Sequence, residues 1–129
     1  MDGRCQEAVG AWCRHNLGVD YPDTITIAGA NGILLNDEVE WERALKMAGV
    51  SVEKHGAAQA VVVGHAQCAG FVADETGHKE AVRHAVAKVA ETGMFEIVVG
   101  LYHDIEADLL EEVCRARGHA VATLRSVEA

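Results

Sequence analysis

The run Ala60-Val61-Val62-Val63, followed at once by Gly64, constrains the fold more than any other stretch of the chain. Four consecutive apolar residues, three of them β-branched, read as a strand buried on both faces, the kind found inside a parallel sheet. Parallel strands need crossover helices, and apolar residues at three- and four-residue spacing provide them on both sides of this run. Val39, Ala44, Leu45, Ala48 and Val52 predict a helix over 37–55, closed by Lys54, His55 and Gly56. Ala81, Val82, Ala85, Val86 and Val89 predict another over 79–91. Further helices are expected over 6–16, stopped by Gly18, and over 105–117, with strands over 24–28, 95–102 and 120–124. Strands alternating with helices give an α/β domain, a doubly wound and mainly parallel sheet flanked by helices. Functional residues then belong at the C-terminal ends of strands.

The 129 residues suit one domain, 1–129, with a single proline and no linker tract. Eleven basic against twenty acidic side chains leave a net charge of −9, which repels nucleic-acid phosphate and anionic lipid. No apolar run approaches the roughly 18 to 20 residues of a membrane span. The start Met1-Asp2-Gly3-Arg4-Cys5 has no secretory pattern, so a cytoplasmic protein is expected. Cys5, Cys13, Cys68 and Cys114 are widely spaced and read as free thiols or metal ligands. Gly29-Ala30-Asn31-Gly32 reads as a flexible loop without a phosphate-cradling pattern, so no nucleotide is expected.

Two constellations carry chemistry. His65 and Cys68 follow the buried strand in Gly64-His65-Ala66-Gln67-Cys68-Ala69-Gly70. An imidazole and a thiolate three residues apart form half of a tetrahedral zinc site, and the glycines let the backbone turn closely around an ion. The plainer reading is a small buried cysteine beside a satisfied loop histidine. Asp2 and Arg4, two apart in an extended segment, would point the same way and form a charge-assisted pair. The plainer reading there is a frayed, solvated terminus.

Together these motifs resemble the β-class carbonic anhydrases, which carry Cys-x-Asp-x-Arg after a first strand and Gly-His-x-x-Cys-Gly after a later one. Asp2-Gly3-Arg4 matches the first in part. Gly64 to Gly70 matches the second, with Ala69 in place of a glycine. Ile25-Thr26-Ile27-Ala28-Gly29-Ala30-Asn31 resembles the family's strand ending in Asn-Ala-Gly-Asn, and the likeness covers about residues 1–102. It implies Zn2+ on His65 and Cys68, an Asp2/Arg4 catalytic dyad, a homodimer or higher homo-oligomer, and reversible hydration of CO2 to bicarbonate by zinc hydroxide. Relatives acting on carbonyl sulfide or CS2 share the motifs.

The family's first cysteine ligand falls two residues before the Asp, which here is the position before Met1. Three explanations follow: a chain that begins upstream with the cysteine and its strand, Cys5 as a substitute third ligand, or a metal-deficient, non-catalytic binding or assembly protein. The first strand is central in such a sheet, so its loss would leave neighbouring backbone groups unpaired. His78, Glu80 and His84 read as a solvated helix face, and His103-Asp104 as a possible pocket lining. His15, His55 and His119 sit near helix ends or turns. Trp12 and Trp41 read as core or dimer contact, and Cys13 and Cys114 as small buried residues.

Overall fold

The computed structural model describes residues 2–118. Three of its helices begin at an aspartate whose carboxylate accepts a backbone N–H of the first turn: Asp2 from Arg4, Asp37 from Glu40 and Asp74 from Gly77. These open α1 (Gly3–Leu17), α3 (Glu38–His55) and α4 (Glu75–Glu91). Gly18 and Gly56, in the left-handed region at φ 67 and 70, close α1 and α3. A short helix, α2 (Ala30–Asn36), occupies the stretch expected to be a loop, with Gly29 as its N-cap at φ 64.

The strands are β1 (Gln59–His65), β2 (Ile97–Asp104) and β3 (Leu109–Arg117), in the order β1-β2-β3. β1 and β2 pair in parallel through the crossover helix α4, and β2 and β3 pair antiparallel across a short turn. The result is an α/β sheet flanked by helices. β2 is buried at six consecutive positions, Val98 to His103, as a central strand should be.

Residues 105–117, expected as a helix, instead supply that turn and β3. Gly100 faces Cys114 while Leu101 faces Glu112, so Val113 is an extra residue in β3. Such a bulge breaks the two-residue alternation of a strand, and Leu109, Leu110, Val113 and Cys114 then imitate helical spacing. Residues 24–28 are a second correction: the segment joins no sheet among the described residues, and Ile25 is 41% exposed. A strand exists only where a neighbour accepts its backbone hydrogen bonds, and alternating β-branched residues cannot supply one. The strand expected at 120–124 lies outside the described residues, as does His119.

The core lies between α4 and the sheet. Val82, Ala85, Val86 and Ala90 pack on Val62, Val98 and Phe95. α4 comes close because β1 and β2 present glycines to it: a Cβ on Gly64 would meet Val82 at 2.8 Å, and one on Gly100 would meet Val82 at 2.6 Å and Val86 at 2.9 Å. Lys88 ties α4 to α2 and α3, donating to the Leu34 carbonyl at 2.7 Å and to Glu38 at 3.2 Å, with its ammonium 4.4 Å from the centre of the buried Trp41 ring. Gly100→Ala should overpack this seam and cost about 1–3 kcal/mol, read as a lower urea midpoint at unchanged slope.

Candidate metal centre

The C-terminal end of β1 delivers the first donor. His65 pairs in register with His103 of β2, and the Ala66 amide donates to the His103 carbonyl at 3.0 Å, carrying the ladder one residue past the strand. The His65 ring places Nδ1 2.8 Å from the Ala66 carbonyl. A carbonyl only accepts, so Nδ1 carries a proton; in the neutral ring the lone pair is then on Nε2, the tautomer a metal-ligating histidine needs.

The loop after His65 reverses at Gln67, which takes φ 57. Its glycines serve close approach rather than turning. A Cβ on Gly70 would lie 2.6 Å from the Gly29 nitrogen, so the loop rests backbone to backbone on the entrance to α2. Beside that contact lies a partly open cavity of about 40 Å3, lined by His65, Cys68, Asn31, Val63, Phe71 and His78 among others. It has room for a few water-sized molecules and no more. His65 and Cys68 both line it.

Two residues of this cavity were not expected there. His78, read as solvated, is 3% exposed and meets the Phe71 ring edge-on at 5.3 Å between centroids. Desolvation, and after it the nearby His65, lowers its pKa. The signal was its place on the apolar stripe of α4, four residues before Val82 and seven before Ala85, hidden because the helix starts at Glu75 rather than 79. Asn31 is 5% exposed; its Nδ2 donates to the Val63 carbonyl at 3.0 Å, while its Oδ1 is buried with no partner among the described residues. His84 is exposed as expected. His103 is 1% exposed and serves the turn after β2, with Nε2 3.0 Å from Asp108.

Asp2 and Arg4 form their pair, by a different geometry from the one expected. They are not in an extended segment: Asp2 is the N-cap of α1 and Arg4 its second residue. The Asp2 carboxylate accepts the Arg4 amide at 2.9 Å and the guanidinium at 2.7 and 3.1 Å. Those bonds hold Asp2 well below the usual carboxylate range and raise Arg4. Arg4 also reaches Gln67 Oε1 at 3.4 Å, so the pair lies against the loop that carries Cys68.

The donor set suits zinc in kind, a neutral imidazole and a thiol on one small cavity. In number it is one short, since no group of three His, Cys, Asp or Glu side chains able to hold an ion occurs among the described residues. Cys5 does not line the cavity; it is buried in α1, and burial pushes its thiol up to about 11. Cys13 is buried and Cys68 only partly so. Iodoacetamide near neutral pH should therefore alkylate Cys68 ahead of Cys5 and Cys13, read by peptide mass spectrometry, and added zinc should slow that first reaction.

No helix among the described residues is long and apolar enough to cross a membrane. No curated protein matches the chain. The family model described as "Putative carbonic anhydrase" matches residues 1–114, which takes in the Asp2/Arg4 pair, the loop of His65 and Cys68 and most of β3. The chain belongs to that carbonic anhydrase family.

Proposed function

We propose that the protein catalyses the reversible hydration of CO2 to bicarbonate, with His65 and Cys68 as zinc ligands and a third donor from outside the described residues. The observation that carries this reading is the shared cavity: His65, with Nε2 free, and Cys68 line a space sized for a triatomic molecule. When bound, zinc supplies a water-derived nucleophile at neutral pH. Ile27, Val63 and Phe71 give CO2 an apolar wall. Asn31 Oδ1, an acceptor without a partner among the described residues, can take the hydrogen bond of a guest O–H such as that of bicarbonate. Asp2, kept ionised by Arg4, offers a second acceptor near His65 and orients the attacking oxygen. A homodimeric assembly belongs to the same proposal.

The second reading, a metal-deficient binding or assembly protein, draws on the missing third donor. Metal analysis separates the two. The purified protein should carry about one zinc per chain, His65→Ala should reduce it to background, and stopped-flow assays should show CO2 hydration that falls with the zinc. A folded, metal-free protein with no hydration above buffer, after incubation with zinc, would establish the second reading.

A further inference from the structure

Among the described residues only Gln67 and Asp108 hold a positive φ without being glycine. That backbone region is costly for a residue with a Cβ, and Gln67 stands in a loop that has glycine on either side, at 64 and 70. From this position its side chain spans two partners. Oε1 accepts from Arg4 Nη1 at 3.4 Å, and Nε2 donates to Glu106 Oε1 at 3.1 Å.

Glu106 is anchored in turn. It sits between β2 and β3, in a turn where the Ala107 amide donates to Asp104 Oδ1 at 3.3 Å and the Asp108 amide to the Ile105 carbonyl at 3.3 Å. Asp108 is bound to the ring of His103, which is buried in the sheet. Order thus passes from a buried imidazole to the turn, to Glu106, to Gln67 and to Arg4, whose own side chain is 56% exposed and, among the described residues, otherwise held by Asp2. A neutral amide is the group this place calls for, since it accepts from a guanidinium on one side and donates to a carboxylate on the other. A carboxylate at 67 would face Glu106, and an ammonium would face Arg4.

We propose that Gln67 is a positioning residue, a clamp between Arg4 and Glu106 that fixes the Asp2/Arg4 pair against the loop of His65 and Cys68. Its role in turnover rests on the hydration reading above; the clamp itself is a property of the metal-free chain.

The test is Gln67→Gly, which removes the clamp and suits φ 57 better than glutamine does. Three results are expected: a melting temperature equal to or above that of the unchanged protein, exchange of the Arg4 Nε–H with solvent accelerated about tenfold by NMR, and kcat for hydration lowered about tenfold with KM within about twofold. Q67E/E106Q exchanges amide and carboxylate while keeping both hydrogen bonds, and should keep the slow exchange that Gln67→Gly loses. Unchanged exchange of Arg4 in Gln67→Gly would overturn the clamp, as would a fall in melting temperature with exchange intact. An unchanged protein that binds zinc without hydrating CO2 would overturn the functional reading and with it the role in turnover. An active protein whose Gln67→Gly variant keeps both kcat and slow exchange would overturn the clamp alone.

Discussion

Parallel pairing of β1 with β2 is the constraint on which the site depends. It sends both strands in one direction, so the loop that follows His65 and the turn that follows Asp104 emerge side by side. The bond from Ala66 to His103 and the one from Gln67 to Glu106 are consequences of that adjacency. Parallel strands cannot be joined by a tight turn, so the pairing exists only because α4 crosses between them and packs on their glycines. The same helix brings His78 to the cavity. Fold and site therefore share one set of contacts, and crowding at Gly64 or Gly100 would disturb both.

The Asp2/Arg4 pair shows how one side chain can serve two ends. As N-cap, Asp2 satisfies an amide of α1 that the helix leaves unpaired, and the same carboxylate takes the guanidinium. The helix dipole and Arg4 both favour its ionised form. A pair built this way is set in orientation by the helix start itself, and the long reach of Arg4 to Gln67 relates it to the loop of His65 and Cys68.

Much of this was legible in the residues. The runs read at 60–64 and 95–102 led to β1 and β2 because uninterrupted apolar stretches leave little alternative in a chain this size, and α3 follows from its apolar stripe and its Gly56 stop. His65 and Cys68 could be paired because their spacing at a strand end puts them on one loop. What escaped was tertiary. The bulge at Val113 made β3 look helical, and the segment at 24–28 has no pairing strand among the described residues, a lack that no local pattern reports. α2 escaped because it is short and starts on glycine, and Asn31 escaped with it. Gln67 carries no signal at all in sequence, since its left-handed backbone and its two partners, 63 residues before it and 39 after, arise only on folding.

The central claim, that His65 and Cys68 hold one metal ion at the end of β1, is tested most directly by X-ray absorption at the zinc edge of the zinc-loaded protein. Sulfur at about 2.3 Å and imidazole nitrogen at about 2.0–2.1 Å are expected in the first coordination shell, with the sulfur signal reduced in Cys68→Ser and the imidazole signal reduced in His65→Ala. A shell of oxygen alone, unaltered by either substitution, would contradict it.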